Sequence, residues 1–254
     1  MSERTFYNEK QVREEHHLNK HTQEKLDLLN KWIKECDPNT LLDVGCGNGV
    51  LTNNFVVNNG ALCGLDFSLS SLQELEMPAI CGDITHLPIR RNHIDLVICS
   101  EVLEHLNDTQ LQDAVFQLQS LNAPHIIITV PNDETLGKNS IKCKNCGLIF
   151  NVSHHFQRFD HKKLDYLFPD YRLARYKTCG RLVRSYVKPL LRIRQNLGNR
   201  WTYFSKQRYT QCPNCQTDQI ALYKPNLISL FTDAFNAVVT QKKPYWLCAI
   251  FKRK

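Results

Sequence analysis

The sequence lacks the features that mark several large classes of protein. No apolar run approaches the roughly 18–20 residues that cross a bilayer, so no membrane-spanning helix is expected. No apolar core follows the opening segment MSERTFYNEK, so no secretory signal is expected and the cytoplasm is the default compartment. Repeats and low-complexity tracts are absent, and hydrophobic residues make up 42% against 22% charged residues. That mix is typical of a globular chain and excludes collagenous and disordered classes.

Acidic residues are scarce in the second half of the chain. Residues 1–137 hold 9 Lys and Arg against 20 Asp and Glu, whereas residues 138–254 hold 23 against 5. The net charge of +7 therefore hides a first half at −11 and a second half at +18. Such asymmetry favours contact between the second half and an anionic partner. A solvated basic surface is the alternative interpretation.

Short apolar runs separated by helical patterns predict an α/β fold with a parallel sheet. We expect a Rossmann-like, seven-stranded, mostly parallel sheet with helices on both faces, and a zinc-tied basic insertion lobe beside it. The expected strands are residues 40–44, 61–65, 78–81, 94–99, 125–130, 171–177 and 245–252. The expected helices are residues 9–35, VLTNNFVV after the glycine turn, and residues 68–75, 107–121, 161–168 and 226–240.

The domain organisation follows the change in charge and in strand rhythm. Residues 1–137 would hold an N-terminal helix and a nucleotide-binding core. Residues 138–254 would form a knuckle-bearing basic lobe, interleaved with the last elements of the core at residues 161–177 and 245–252. We expect residues 180–244 to be a long, irregular insertion apart from the helix near its end.

A glycine-rich loop, Asp43-Val44-Gly45-Cys46-Gly47-Asn48-Gly49, lies between the first strand and the segment after it. Its glycines allow a sharp turn and a close approach of the backbone to a ligand. Asp66 ends the second strand, where a carboxylate is placed for two ribose hydroxyls. Asp83 follows the third strand, where it is placed for an exocyclic adenine amine. Capping of turns and helices is the alternative role for these carboxylates.

The string LLDVGCGNG … GLD … GDI … IDLVICSEVLEHL … HIIITVPN resembles class I S-adenosylmethionine-dependent methyltransferases of the type 11/23 kind. The resemblance is strong over residues 40–132. It implies that Gly45, Gly47 and Gly49, together with Asp43, lie near the amino-acid part of S-adenosylmethionine. It also implies that Asp66 binds the ribose and Asp83 the adenine amine, with Ile84 against the ring and Ser100 near the methionine moiety.

The segment after the fourth strand, Cys99-Ser100-Glu101-Val102, bears on the atom that is methylated. It lacks the N/D-P-P-Y/F loop of amino-directed enzymes and the Pro-Cys pair of pyrimidine C5 enzymes. An oxygen acceptor is therefore favoured, with nitrogen and carbon left open. A hydroxyl acceptor benefits from a general base. The candidate bases are Glu101, Glu104, His105, His154 and His155.

Glu101, Glu104 and His105 would share one face if residues 101–105 formed a helical turn. Two carboxylates and an imidazole suit a divalent metal. The E-x-x-E-H string, followed by His154-His155-Phe156, is similar to metal-dependent O-methyltransferases that act on small-RNA ends or ubiquinone precursors, which implies Mg²⁺ as a further cofactor. His154 is then the expected fourth ligand, with His155 or His161 as replacements. The alternative is a capped helix start without a metal.

Two C-x-x-C knuckles occur in the second half, Cys143/Cys146 and Cys212/Cys215. Four thiolates on two tight turns make a closed tetrahedral zinc site. Because cytoplasmic chains rarely form disulfides, we expect a structural Zn²⁺ that ties the two insertions together. The alternatives are disulfides or free thiols. The seven other cysteines are expected to be buried small hydrophobic residues.

The segment from residue 180 to 217 mixes basic and aromatic residues, a composition that binds phosphates and stacks on bases. It suits equally the diphosphate of a nucleotide- or lipid-linked sugar, or an anionic membrane surface. The basic residues are Arg181, Arg184, Lys188, Arg192, Arg194, Arg200, Lys206 and Arg208, and the aromatic ones are Tyr186, Trp201, Tyr203, Phe204 and Tyr209.

These observations favour an O-methyltransferase for an anionic small molecule or glycan intermediate. The C-x-x-C-G … H-H … F insertion is similar to those of bacterial enzymes of surface-glycan or secondary-metabolite pathways. An RNA methyltransferase that uses the basic lobe is the second interpretation. A non-catalytic cofactor- or zinc-dependent binding module is the third.

Overall fold

The computed structural model describes residues 18–201, 210–218 and 224–254. Within these ranges, the main sheet has seven strands in the order β3-β2-β1-β4-β5-β9-β8. Its strands are β1 (Thr40–Val44), β2 (Ala61–Asp66), β3 (Ala79–Cys81), β4 (Leu96–Ser100), β5 (His125–Pro131), β8 (Tyr171–Arg184) and β9 (Lys242–Arg253). The first five strands run parallel, and β9 lies antiparallel between β5 and β8. The expected fold class is confirmed.

Helices lie on both faces of the sheet. They are α1 (Lys20–Cys36), α2 (Leu69–Leu72), α3 (Asp108–Ser120), α4 (His161–Leu167), α5 (Lys188–Asn196) and α6 (Leu227–Val239). On one face, Trp32 and Ile33 of α1 pack with Ile98 and Cys248 of the sheet. On the other face, α3 packs against the strands through residues that include Leu118. Residues 9–17 of the first expected helix lie outside the described residues.

The start of α3 shows why this segment forms a helix where the sequence predicts one. Asn107 accepts from the amide of Gln110, and the side chain of Gln110 accepts from the amide of Asn107. This reciprocal capping box satisfies amides that the first helical turn leaves without partners. Leu111, Val115 and Leu118 then recur at helical spacing on the buried side.

The helix expected after the glycine loop is wrong. Residues 52–54 form only a short 3₁₀ turn, and the chain then continues extended from Phe55. Asn53 and Asn54 lie in this stretch, and asparagine side chains compete with the backbone bonds of a helix. Asn54 does so here, because its side chain donates to the carbonyl of Val50, four residues earlier.

The expectation of an irregular insertion over residues 180–244 is also wrong in part. The strand β8 continues to Arg184, where it still pairs with Lys242 of β9. The helix α5 follows directly, with Pro189 in its first turn, where the missing amide of proline costs nothing.

The strands β6 (Ser140–Lys142) and β7 (Ile149–Asn151) form a separate two-stranded ribbon that carries the first cysteine knuckle on its turn.

Candidate functional site

Three aspartates lie where β1, β2 and β3 end. The strands are parallel and in register, with Val44 opposite Leu65 and Asp66 opposite Cys81. Asp43 and Asp66 are buried, and Asp83 is half-buried. Ligands of open α/β sheets bind outside these carboxyl ends. The geometry therefore gathers the three carboxylates at one edge of the sheet, as the spacing predicts.

The glycine loop is fixed to the end of β2. The amides of Gly45 and Cys46 both donate to the carbonyl of Leu65, at 2.6 and 3.1 Å. Gly45 has φ +80°, and a Cβ there would lie 2.1 Å from Cγ2 of Val102, so only glycine fits. Gly47 has φ +55°, yet a Cβ on it would meet nothing within 4 Å. The loop therefore packs tightly at Gly45 and opens onto free space at Gly47.

Asp66 and Asp83 have different hydrogen-bond partners. Asp66 accepts from the amides of Gly47 (2.9 Å) and Ser68 (2.8 Å), which holds the loop against β2 and orients the carboxylate. Each carboxylate oxygen has two lone pairs, so the capacity to accept from two hydroxyl groups remains. Asp83 accepts from the amide and hydroxyl of Thr85, and Ile84 beside it is buried.

Asp43 carries an unsatisfied oxygen. Its Oδ2 accepts from the Thr52 hydroxyl at 2.6 Å, whereas its buried Oδ1 has no partner among the described residues. Burial raises the pKa of Asp43 to about 7. A buried carboxylate oxygen without a donor is costly, and a cationic amine would satisfy it. This arrangement fits the amino-acid end of S-adenosylmethionine.

Ser100 and Glu101, after β4, belong to a polar network reached from α1. The Ser100 hydroxyl lies 2.7 Å from that of Thr129. Glu101 accepts from the Thr129 hydroxyl at 3.1 Å and from the indole nitrogen of Trp246 at 2.7 Å. Lys25, only 3% exposed, places its Nζ 3.8 Å from Glu101 and 4.3 Å from the centre of the Trp246 ring. The Glu101 carboxylate is therefore held as an acceptor in a fixed position.

The helical face expected for Glu101, Glu104 and His105 is not formed. Glu101 has φ +57°, in the left-handed region, and only Leu103–His105 form a 3₁₀ turn. The cluster contains His155 instead: potential ligand atoms of Glu104, His105 and His155 all lie within 4.8 Å of one another. The rings of His105 and His155 meet edge to face at 4.7 Å. Of the three histidines expected as a further ligand, His154, His155 and His161, the cluster contains His155.

The environment of this cluster is acidic and buried. Glu104 is 1% exposed, and its Oε2 has no partner in the described part of the chain. Burial, and next the charge of Glu101, raise the pKa of Glu104 well above its usual range. Burial, and next the charges of Glu101, Glu134 and Glu104, raise the pKa of the Tyr245 phenol. Burial therefore disfavours the charged form of Glu104, and a nearby cation would stabilise that form.

His154 does not belong to this cluster, and its ring contacts the segment of the second knuckle instead. It has φ +55°, and its Nε2 lies 3.1 Å from the carbonyl oxygen of Gln211 in the second knuckle. Burial lowers the pKa of its imidazole. His161 stacks on Tyr176, with ring centres 4.5 Å apart, and is not part of the cluster. His154 therefore links the segment after β7 to the segment of the second knuckle.

The four knuckle cysteines come together. Sγ of Cys143 lies 3.5 Å from that of Cys215, Sγ of Cys146 lies 3.5 Å from that of Cys212, and all four atoms lie within 4.8 Å of one another. A tetrahedral zinc with bonds of about 2.3 Å places its sulfurs about 3.8 Å apart. The amide of Leu148, and next the side chain of Asn214, lower the pKa of Cys146 to about 6, which favours a thiolate.

The two knuckles have the same backbone form. In the first, the amide of Cys143 donates to the carbonyl of Leu148, and the amide of Gly147 donates back to Cys143. In the second, the amide of Cys212 donates to Thr217, and that of Gln216 donates back to Cys212.

Of the other cysteines, Cys81 is exposed and Cys36 and Cys63 are half-buried, so the expectation that all seven are buried is wrong for these three.

Several basic side chains of the lobe form ion pairs and hydrogen bonds within the lobe. Arg194 is fully buried and pairs with Asp233 at 2.9 Å, and Tyr186 donates its hydroxyl to the same carboxylate. Arg184 donates to the last carbonyls of α6, at Ala237 and Thr240. These residues fasten α5 and α6 together and are not available to an anion. Lys206, Arg208, Tyr203, Phe204 and Tyr209 of the expected basic and aromatic segment lie outside the described residues.

Reasoning from sequence missed four residues of the site: Lys25, Glu134, Tyr245 and Trp246. Lys25 is four residues before Leu29 on the apolar side of α1, and a lysine in that stripe is the signal that was available. Glu134 follows the carboxyl end of β5, and this is the edge of the sheet at which the three aspartates were expected. Tyr245 and Trp246 come from β9, and their place beside β5 follows from pairing of distant segments.

Comparison with known proteins fits this geometry. Residues 42–117 match the family model for the methyltransferase domain, Methyltransf_11. This match and the fold support class I methyltransferases as the family that residues 42–117 resemble. The match covers the glycine loop, Asp66, Asp83 and the 101–105 segment.

Two curated relatives share parts of this region. The chain is 32% identical over 120 residues to the uncharacterized protein MJ0638 of Methanocaldococcus jannaschii, covering 46% of this chain and 52% of that protein. It is 33% identical over 79 residues to the ubiquinone biosynthesis O-methyltransferase of Coxiella burnetii, covering 28% and 34%. The chain thus spans about half or less of these relatives.

The fold has solved counterparts. The structure of magnesium protoporphyrin IX methyltransferase (ChlM) from Synechocystis PCC 6803 with bound SAH aligns with a TM-score of 0.54 at 12% identity. The alignment covers 94% of this chain and 89% of that one. At this identity the likeness concerns the fold alone.

Proposed function

We propose that the protein is an S-adenosylmethionine-dependent methyltransferase. The observation that carries the proposal is the set of Asp43, Asp66 and Asp83 at the ends of three adjacent strands, around a loop that is open at Gly47. Asp66 would hold the ribose hydroxyls, Asp83 the adenine amine, and the free oxygen of Asp43 the ammonium group. When bound, S-adenosylmethionine supplies a methyl group already activated on its sulfonium.

The chain's own residues would then contribute mainly position, since methyl transfer needs in-line approach of a nucleophile. Ser100 and the Lys25–Glu101–Trp246 network border the methionine side. Glu104, His105, His155, Glu134 and Tyr245 border the side from which an acceptor would approach. Because Glu101 accepts hydrogen bonds from Thr129 and Trp246, we assign it the role of holding these neighbouring side chains in place.

Calorimetric titration with S-adenosylmethionine tests the proposal. Asp66→Asn should weaken binding at least tenfold, since one of two carboxylate acceptors is lost. It keeps one oxygen to accept from either the Gly47 or the Ser68 amide, whereas Asp66→Ala would lose both bonds. Asp113→Asn, an exposed aspartate on α3, is the matched control and should bind like the parent chain. Unchanged affinity in Asp66→Asn, with an unchanged melting curve, would refute the cofactor site.

We infer further that the acceptor is a hydroxyl of an anionic small molecule or glycan intermediate. The support is chemical: His155 lies 2.5 Å from Glu134, a pairing that suits an imidazole base. Arg181, over the Tyr245 ring at 5.0 Å, provides a cation beside the cluster. The O-methyltransferase relative from Coxiella burnetii points the same way over its short matched region.

The same cluster offers a second interpretation, in which Glu104, His105 and His155 bind a divalent cation such as Mg²⁺. The partnerless Oε2 of buried Glu104 supports it, because a cation would satisfy that oxygen. Such a cation would orient and acidify substrate hydroxyls. Loss of activity on EDTA treatment, restored by Mg²⁺, would favour the metal over the His155–Glu134 base.

We also propose a structural Zn²⁺ at Cys143, Cys146, Cys212 and Cys215. The distances between the sulfurs and the matched turns of the two knuckles support it. The metal would tie the ribbon β6–β7 to the segment that precedes α6. In this role it supplies folding free energy to the lobe and takes no part in methyl transfer.

A further inference from the structure

The helix α6 exposes its apolar side. Leu227, Leu230, Phe231, Phe235 and Val238 recur at the spacing of one helix face, and all five are exposed. The rings of Phe231 and Phe235 stack on one another at 6.2 Å along this face. We call these five residues the α6 face. None of the described helices is both long and apolar enough to cross a membrane.

The opposite side of α6 is polar and buried. Ser229, Thr232 and Asn236 are each at most 1% exposed, and Asn236 binds the backbone of Ser185 and Val187. Asp233 receives Tyr186, Arg194 and Arg200 from α5 and its flanks. A helix at the surface of a globular domain normally turns its apolar stripe inward. Specific polar contacts hold α6 in the reverse orientation.

Exposed basic residues lie on α5, the helix beside α6, and in the chain at both ends of α6. Asn226, at the start of α6, donates to Gly198 beyond the end of α5, while Asn236 near its end accepts from Val187, so the two helices lie antiparallel. Lys188 and Arg192 are exposed on α5, and Lys224 and Lys242 flank α6 on either side. Asp218 and Asp233 are the only acidic residues between positions 180 and 254. Because Asp233 is neutralised by Arg194 and Arg200, the segment that carries α5 and α6 has a net positive charge.

We propose that the α6 face binds the surface of an anionic lipid bilayer. An apolar helix face among basic side chains enters the interface between headgroups and acyl chains, where the cations meet anionic lipids. A helix of 13 residues is about 20 Å long, too short to span a core of about 30 Å, so α6 would lie along the surface. This inference does not depend on the proposed methyl transfer.

The charges favour a membrane over a second copy of the chain. A two-fold interface pairs the same surface patch on both subunits. Two α6 faces placed together would bring Lys188, Arg192, Lys224 and Lys242 of each copy near those of the other. Like charges repel in that arrangement, whereas anionic headgroups neutralise them.

Flotation of the full chain with vesicles tests the proposal. The protein should float with vesicles of phosphatidylcholine containing phosphatidylglycerol, and much less with phosphatidylcholine alone. High salt should weaken the association, since each Lys or Arg near an anionic surface increases binding about fivefold. Failure to float with the anionic vesicles would overturn the proposal.

A matched pair of variants locates the contact. Phe231→Ser should reduce partitioning about tenfold, because Phe231 is 68% exposed on the α6 face. Phe116→Ser, on α3, removes a phenylalanine that is 62% exposed elsewhere and should leave partitioning unchanged. Equal loss in both variants would overturn the assignment to α6. A lowered melting temperature in Phe231→Ser, but not in Phe116→Ser, would also overturn it. Light scattering that shows a dimer in the parent chain and a monomer in Phe231→Ser would overturn it as well.

Discussion

Nδ1 of His155 lies 2.5 Å from Oε2 of Glu134, and both side chains are largely buried. The other carboxylate oxygen, Oε1, accepts from the side chain of Asn139 at 2.9 Å, so the orientation of Glu134 is fixed from both sides. A carboxylate that orients an imidazole in this way also supports a metal-bound histidine. The pair is therefore compatible with both interpretations of the cluster.

Titration of the protein with Mn²⁺, followed by electron paramagnetic resonance, separates the two. If the cluster binds a divalent cation, His155→Ala should abolish the bound signal. Glu134→Gln should weaken binding about 10–100-fold, because an orienting partner of the ligand is lost. His161→Ala is the control, since that imidazole stacks on Tyr176 away from the cluster. Absence of any bound Mn²⁺ would leave the pair as a general base.

Asp43→Asn should stabilise the ligand-free protein above neutral pH. Burial raises the pKa of Asp43 from 3.8 to about 7, so the folded state resists ionisation that the unfolded state permits. The stability of the parent chain should therefore fall as pH rises from about 4 to about 7 and level off above that. The penalty, on the order of 4 kcal/mol, is absent in the variant. Thermal melts at about pH 5, within that window, and about pH 8, above it, measure the difference.

The same substitution should weaken S-adenosylmethionine. An amide at position 43 can still accept from Thr52, but it carries no charge for an ammonium group. Higher stability together with lower affinity is the expected pattern. A variant that is more stable and binds as before would show that the free oxygen of Asp43 does not face the cofactor.

Alanine at Gly45 should be far more damaging than alanine at Gly47. Both positions have positive φ, which costs a residue with a Cβ about 1–2 kcal/mol. At Gly45 the new Cβ would also collide with Val102, whereas at Gly47 it meets open space. Urea unfolding should show the larger loss for Gly45→Ala, and Val102→Ala in the same chain should recover part of it. Equal losses would contradict the tight packing of the loop.

Zinc should be present at one ion per chain by elemental analysis. Cys143→Ser and Cys212→Ser should each lose the metal and lower the melting temperature, because metal binding is coupled to folding of the lobe. Cys81→Ser removes an exposed cysteine outside the knuckles and should retain the zinc. Full zinc content in either knuckle variant would exclude the Cys₄ site.

Asp233→Asn should destabilise the lobe by about 3 kcal/mol, since it leaves the fully buried Arg194 without a charged partner. Asp218→Asn, at an exposed aspartate in the second knuckle, should be neutral. Denaturant titration measures both. An unchanged free energy of unfolding in Asp233→Asn would show that Arg200 and Tyr186 are not organised through this carboxylate.

The sheet was predictable because its strands are buried on both faces and read as unbroken apolar runs, such as residues 94–99 and 125–130. Their parallel direction then follows from the alternation with helices. The site aspartates were predictable for the same reason, since the end of each run marks the edge where ligands bind. The β8 extension to Arg184 was not, because its residues are mostly exposed and lack that signal.

The acceptor side of the site was harder to predict. Pattern reasoning placed Glu101 on a helix, but its φ of +57° turns the carboxylate towards Trp246, on a strand 145 residues later. His154 and His155 are adjacent in sequence, and only three-dimensional packing decides which faces Glu134 and which faces the second knuckle. Such choices depend on contacts between distant segments, which local spacing does not encode.

The strand β9 follows every other described strand in sequence, yet it occupies an interior position in the sheet, between β5 and β8. During synthesis, β1 to β5 emerge from the ribosome long before β9 does. Until then β5 has an open edge with unpaired amides and carbonyls, which other strands can join. Trp246, which fixes Glu101, arrives with the same strand. Nascent chains stopped before Lys242 should therefore aggregate through β5 and lack an ordered acceptor side, so completion of the site waits for β9.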